Sequence, residues 1–280
     1  MGMPVRIVLY APDEAAARDA ATSAFARIAA LDRAMSDYRP DSEVSDVARR
    51  APMPVPVSPD VFRVVGRAID IARDTDGAFD PTVAPLVALW RNARAASRLP
   101  SGAAIDDSRA FTGWRGVELD PPRQTIRLSK PGMRLDLGGV AKGYILQAAL
   151  ETLRGLGIRA AMLEAGGDIV TGDAPPGREG WRIAKELGGE FNSEFASELI
   201  ANTALATSGP GAQFVEIDGV RYSHVVDPRT GWALTSGVTA HVLASDAALA
   251  DALATAATVI GKPGLDRLRA RFPQARIDLR

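Results

Sequence analysis

The sequence of 280 residues contains no cysteine and only two histidines, His224 and His241. The first absence excludes disulfides, zinc–thiolate sites, iron–sulfur clusters and cysteine nucleophiles. The second excludes a multi-histidine metal centre. Any metal site must be built from oxygen, which favours Mg²⁺ or Ca²⁺. A charge excess is also missing: 33 Lys and Arg stand against 34 Asp and Glu, for a formal net charge of −1. A broad basic face is therefore ruled out, and no nucleic-acid partner is expected. No apolar run reaches the roughly 18 residues of a membrane span. Residues 1–10 read as a strand and not as a signal peptide, so the chain as given reads as soluble.

What is present is an ordinary globular composition, 46% hydrophobic and 24% charged. A chain of this length buries a sizeable core without staples, as one large domain or two small ones. Residues 5–10 (VRIVLY) are strand-like. A helix then places Phe25, Ile28, Leu31 and Met35 at helical spacing. Residues 36–45 read as a polar turn, and Pro52, Pro54 and Pro56 as an extended or edge segment. Ser58-Pro59 is a helix start, with Ser as cap and Pro in the first turn. Val61, Val64, Val65, Ala68, Ile69 and Ala72 continue that helix on one face.

Residues 92–107 are polar, an irregular excursion or a short helix pair. Strand-like pieces flank Pro121-Pro122, and residues 133–137 read as a further strand. A helix follows over 140–156, ended by Gly155 and Gly157. Residues 158–163 read as a strand, Gly166-Gly167-Asp168 as a tight turn, and 181–187, 199–207 and 214–217 as antiparallel strands. Asp218-Gly219 is a hairpin turn into a strand over 220–226. A strand over 238–243 and an Ala-rich helix over 246–260 complete the pattern. Hairpins mixed with helices indicate an α+β fold rather than a regular βαβ alternation.

Five segments have residue types suited to chemistry. In the 246–260 helix, Asp251 and Thr255 lie four residues apart on one face. A carboxylate and a hydroxyl so placed can hold a hard cation, or form a polar stripe or a structural hydrogen bond. Asp136-Leu-Gly-Gly-Val-Ala-Lys-Gly143 reads as a glycine turn into a helix. It suits either phosphate binding assisted by Lys142, or close strand–helix packing. It is neither a Walker loop nor a dinucleotide fingerprint. His224-Val-Val-Asp-Pro-Arg-Thr-Gly231 places a general base, or a histidine satisfied by its own turn, at a strand end. Asp227 before Pro228 is suited to accepting local backbone hydrogen bonds. Tyr38 in a polar turn is either an aromatic platform or an ordinary surface residue. Asp80 before Pro81 reads as conformational, with ligand contact as the second reading.

Taken in order, MSDYRPDSEVS, TDGAFDPTVAPLVALW, LDLGGVAKGY, GGDI, ATSG, HVVDPRTG and ADALATA resemble the FAD:protein FMN transferases, the ApbE family. The resemblance covers nearly the whole chain. It implies a single domain over 1–280 with mixed and antiparallel sheets packed by helices, in two intertwined lobes with a FAD cleft between them. It implies Mg²⁺-dependent transfer of FMN from FAD to a Ser or Thr hydroxyl of an acceptor protein, with AMP leaving. Some relatives instead hydrolyse FAD to FMN and AMP, and a flavin-binding carrier is the non-enzymatic alternative. Residue by residue, the resemblance makes Tyr38 the flavin-stacking ring. Met1, Ala78, Phe79, Asp80, Asp136, Lys142 and Val226 become FAD-binding positions. Asp251 and Thr255, with the carbonyls of Gly139 and Ala254, become metal ligands, and His224 the catalytic base. It further implies a membrane redox subunit as acceptor and residence in the bacterial periplasm or cell envelope, with the cytoplasm as alternative. Three sites depart from the family pattern: Ala48, Gln147, and the pair Pro210-Gly211 in place of a segment that usually carries Tyr.

Overall fold

A computed structural model describes residues 2–184, 197–210 and 214–280. Its principal sheet is built from β1 (Val5–Leu9), β5 (Ala161–Ala165), β6 (Asp168–Thr171), β9 (Ala204–Ser208), β12 (Ala240–Ala244) and β13 (Arg276–Leu279). These six strands lie in the order β1-β5-β6-β9-β12-β13. Every neighbouring pair is antiparallel. A smaller sheet is formed by β2 (Val55–Pro56), β3 (Val117–Asp120) and β4 (Thr125–Leu128), with β4 in the middle. Two hairpins stand apart: β7 (Trp181–Ala184) with β8 (Ser197–Ile200), and β10 (Phe214–Ile217) with β11 (Val220–Ser223).

Seven helices are described: α1 (Glu14–Met35), α2 (Glu43–Arg49), α3 (Pro59–Asp74), α4 (Ala84–Ala96), α5 (Gly102–Arg109), α6 (Ala141–Gly155) and α7 (Ala247–Arg271). Strand alternation splits the principal sheet between two apolar layers. Leu163, Val170, Ala204, Ala206, Val242 and Ala244 join the main core, with α6 and α7 on that face. Met162, Leu205 and Leu243 point the other way, against Trp181, Ile183 and Ile200 of the β7–β8 hairpin.

Local sequence accounts for many of these elements. Ser58 caps α3, its side chain accepting the Val61 N–H, and all six apolar positions expected on that helix are buried. Asp246 caps α7 by accepting the Leu249 N–H at 3.0 Å. Asp218 and Gly219, both at positive φ, make the turn between β10 and β11.

Several segments differ from the pattern-based expectation. Residues 133–137 form no regular element and join no ladder; the Asp136 N–H donates to the Pro81 carbonyl, so a loop takes the place of a partner strand. The stretch 199–207 is two strands, broken at Ala201–Thr203 between the β7–β8 hairpin and the main sheet. The stretch 220–226 keeps its ladder only to Ser223, with a single bridge from Val226 to Ala233 beyond. The polar turn ends at Ser42, whose side chain caps the unexpected α2. Residues 92–107 resolve into the end of α4 and most of α5. Phe25 is 44% exposed on α1, while Ile28, Leu31 and Met35 are buried. The expected strand over 181–187 is seen to Ala184; its remainder lies outside the described residues, as do Met1 and Gly211.

Candidate active site

Gly143, in the first turn of α6, packs on the start of α7 with no room for a side chain. A Cβ there would lie 2.0 Å from the Ala247 carbonyl oxygen. Small residues at Ala247, Ala248 and Ala250 keep the α7 side thin. The amide of Gln147, one turn further along α6, accepts the Ala247 N–H at 2.8 Å. This departure from the family pattern therefore satisfies a backbone donor at the start of α7.

This contact carries Asp251, one turn into α7, up to the glycine turn. Its Oδ2 accepts the Gly143 N–H at 3.2 Å, and its Oδ1 lies 2.5 Å from Lys142 Nζ. A turn later, Thr255 meets Gly139: a Cβ on Gly139 would lie 3.0 Å from Thr255 Oγ1 and 3.3 Å from the Phe79 ring. Ala254 is buried beside it. The structure thus brings Gly139, Lys142, Asp251, Ala254 and Thr255 into one cluster, with Phe79 on its border.

The cluster holds a residue that sequence reasoning assigned only to a turn. Asp168, at the start of β6 and 2% exposed, places Oδ2 2.8 Å from the same Lys142 Nζ. Its Oδ1 accepts the Thr207 N–H at 3.1 Å, while Oδ2, buried, has no well-directed hydrogen bond. One ammonium therefore sits between two buried carboxylates. Burial draws the Lys142 pKa down, but Asp251 and Asp168 together outweigh it and hold the group above the ordinary lysine value. Burial, reinforced by Asp251, raises the Asp168 carboxyl above the ordinary carboxylate value against the pull of Lys142. The available sign was a carboxylate at the first position of a mostly buried strand, DIVT.

His241 lies elsewhere. It faces away from α6 and α7, across β12, where its Nδ1 is 3.1 Å from Thr207 Oγ1.

The remaining candidates gather around α4. Ala78, Phe79 and Asp80, just before this helix, are all buried. The Asp80 carboxylate is engaged inside the protein. Oδ1 accepts from the Thr82 N–H at 2.8 Å and its hydroxyl at 2.6 Å, and Oδ2 from the Trp114 N–H at 2.9 Å. Its conformational reading holds, and burial raises its pKa. Asp136 is tied to this loop through Pro81 and accepts the Gly138 N–H at 2.8 Å. The cluster's glycine turn and the 78–80 segment are therefore held side by side.

Tyr38 is 73% exposed, so most of its ring is open to a ligand. Arg91 of α4 donates to its hydroxyl at 2.7 Å and lies 4.5 Å from the ring centroid. Beside it, burial and the nearby Asp136 push Asp37 up to about 6, against Arg91 and Arg134. The other side of α4 holds the histidine turn: Trp90 Nε1 donates to the Gly231 carbonyl at 2.9 Å. Asp227 accepts the Arg229 N–H at 2.9 Å and pairs with its guanidinium, as its place before Pro228 suggested. His224 is exposed just beyond the end of β11. Val226 is buried against Leu86, Trp90, Ala93 and Ala233. A single helix thus contacts both Tyr38 and the turn that follows His224.

The residues present suit a hard divalent cation. No group of three or more His, Asp or Glu side chains is placed to hold a metal among the described residues. Oxygen donors nonetheless lie close together on Asp251, Thr255 and the glycine turn, and the Lys142 ammonium already stands as a cation against Asp251 and Asp168. Carboxylate, hydroxyl and carbonyl oxygens are the donor types a hard divalent cation prefers.

An antiparallel α+β scaffold with a buried carboxylate–lysine cluster at a helix–helix junction defines a class that comparison with known proteins narrows. Residues 1–276 match the ApbE family, and the chain belongs to it. It is an enzyme of the transferase class. It is 33% identical over 237 residues to the FAD:protein FMN transferase of Klebsiella pneumoniae, covering 84% of this chain and 72% of that protein. It is 35% identical over 238 residues to the FAD:protein FMN transferase of Vibrio cholerae, covering 81% of this chain and 69% of that protein. Among solved structures, the flavin transferase ApbE from Vibrio cholerae superposes with a TM-score of 0.84 at 30% identity. That match covers 99% of this chain and 89% of the other.

Proposed function

We propose that this chain transfers FMN from FAD to a Ser or Thr hydroxyl of an acceptor protein, with AMP as leaving group. The observation that carries the reading is that Asp251 and Asp168 face one buried cation, the Lys142 ammonium, while Thr255 packs on Gly139 of the same 138–143 turn. Breaking a pyrophosphate demands charge neutralisation and alignment more than covalent help from the enzyme. The names of the relatives supply FAD and FMN; the donor chemistry supports the rest.

In this reading Asp251, Thr255 and the carbonyls of Gly139 and Ala254 would hold Mg²⁺. When bound, Mg²⁺ supplies positive charge to the phosphate oxygens and to the departing AMP. Tyr38 offers its open ring to the isoalloxazine, and Arg91 steadies that ring. The segment Ala78–Asp80, with Asp136, forms a wall fixed by internal hydrogen bonds, and Lys142 adds positive charge under the nucleotide. His224 takes the proton from the acceptor hydroxyl, whose oxygen forms the new bond to the FMN phosphorus as the bond to AMP breaks. General base catalysis of this kind contributes about 10²–10⁴-fold. The family resemblance supports a membrane redox subunit as acceptor and an envelope location.

The test is AMP release from FAD by the purified chain, with Mg²⁺ or EDTA, with and without a candidate acceptor domain. Mg²⁺-dependent AMP with a covalently fluorescent acceptor supports the transferase. AMP and free FMN with no labelling of any acceptor replaces it with a FAD pyrophosphatase. Absence of AMP from FAD-loaded protein leaves a flavin carrier.

A further inference from the structure

We propose that Lys142 is an internal counter-cation that occupies Asp251 while the divalent ion is absent, and that Asp168 is the anchor that takes this ammonium over when the ion binds. This rests on the reading of Asp251 as a metal ligand. It adds two positioning residues, Lys142 and Asp168.

The geometry carries the argument. Two carboxylates from different elements, Asp168 on β6 and Asp251 on α7, are both buried and face the same nitrogen at 2.8 and 2.5 Å. Buried like charges at such close quarters need a cation between them. Lys142 supplies it from the first turn of α6, with the Gly138 carbonyl 3.5 Å away on its third side. Asp251 Oδ2 is held by the Gly143 N–H, which leaves Oδ1, now against Lys142, as the oxygen open to exchange. A divalent ion arriving there is repelled by the ammonium, so the two compete for one oxygen.

Asp168 is built to resolve that competition. Its Oδ1 is fixed by the Thr207 N–H, and its buried Oδ2 makes no well-directed hydrogen bond. An acceptor of that kind is incompletely satisfied and gains from a fully directed ammonium. The four-carbon lysine stem turns more readily than either carboxylate, each of which is tied to a backbone N–H. Asp168 therefore keeps Lys142 inside the cluster without belonging to the ion's own ligand set.

The experiment measures Mn²⁺ binding by titration calorimetry on the whole chain without flavin. Lys142→Met should bind Mn²⁺ about tenfold more tightly, since Asp251 is no longer occupied. Asp168→Asn should bind it about tenfold more weakly, because the ammonium then has only Asp251. The double variant should match Lys142→Met within about threefold, because the anchor matters only while the lysine is present. Lys142→Arg, which retains the charge, serves if the Met variant does not fold; its fork bridges both carboxylates and should weaken Mn²⁺ binding.

Unchanged or weaker binding in Lys142→Met overturns the inference, as does unchanged binding in Lys142→Arg. A loss in Asp168→Asn that persists undiminished in the double variant also overturns it, by making Asp168 a ligand. Asp251→Ala separates this failure from that of the metal reading. If it abolishes binding while the lysine variants behave as the parent, only the inference falls. If it leaves binding intact, both fall.

Discussion

Gly143 and Ala247 bring the backbones of α6 and α7 together so closely that a single methyl group on Gly143 would lie 2.0 Å from the Ala247 carbonyl oxygen. The obstacle is backbone, which cannot swing aside as a side-chain tip can. Gly143→Ala should therefore destabilise the protein by about 3 kcal/mol, at the upper end of overpacking costs. It should also displace Asp251 from Lys142. Chemical denaturation measures the first effect and Mn²⁺ affinity the second; a loss below about 1 kcal/mol would show that the helices move apart easily.

Asp80 joins three donors from two loops inside the protein. Asp80→Ala should cost about 2–4 kcal/mol through the unpaired Thr82 and Trp114 groups. Asp80→Asn retains an acceptor oxygen and should lose less. Urea titration of both variants provides the comparison, and equal losses would remove hydrogen bonding as the cause.

Asp37 predicts a pH dependence. Its pKa is raised to about 6 from an ordinary 3.8, first by burial and then by Asp136. The folded state thus holds the proton more tightly than the unfolded state, so stability falls as pH rises between these two values. Asp37→Asn, neutral throughout, should melt above the parent at pH 8, and the gap should narrow toward pH 4. A constant gap across melting curves in that range would mean that Asp37 titrates normally.

Tyr38 is available to stack on a flat ring because most of its surface is uncovered. Tyr38→Ala should weaken FAD binding about 2–10-fold, the range of an aromatic pair, and Tyr38→Phe should weaken it less. Quenching of FAD fluorescence reads both. Unchanged affinity in the Ala variant would place the isoalloxazine elsewhere.

His224 and Asp251 should separate binding from chemistry. His224→Ala is expected to bind FAD normally and to lose about 10²–10⁴-fold in transfer. Asp251→Ala should lose turnover more completely than FAD affinity, because the ring is held apart from the phosphates. Single-turnover labelling of an acceptor, beside FAD binding, measures the split; parental rates in either variant would withdraw its role.

Local grammar made much of the fold legible. The Ser58-Pro59 cap, the Asp218-Gly219 turn and the glycine stop of α6 are short-range devices, and each occurs where the residues indicate. Segments whose state depends on distant partners were less readable. Residues 133–137 have strand composition but lie beside the Pro81 loop, where no ladder is available. Phe25 sits at helical spacing, yet the apolar face of α1 is set by Ile28, Leu31 and Met35.

The same division runs through the site. By itself the sequence determined its chemistry: without cysteine and with two histidines, oxygen had to supply any metal ligands, and Asp251 with Thr255 shared a helix face by periodicity alone. Only tertiary structure decided which carboxylate stands opposite Asp251. Asp168 follows a glycine pair like any turn aspartate, and its place at the head of a mostly buried strand is the single local sign of a buried charge. It becomes part of the site because antiparallel pairing sets β6 beneath α6, and because Gly143 lets α7 approach close enough for one lysine to touch both acids. Caps and turns are decided by neighbours in the chain, whereas a buried ion pair is decided by which backbones can come into contact.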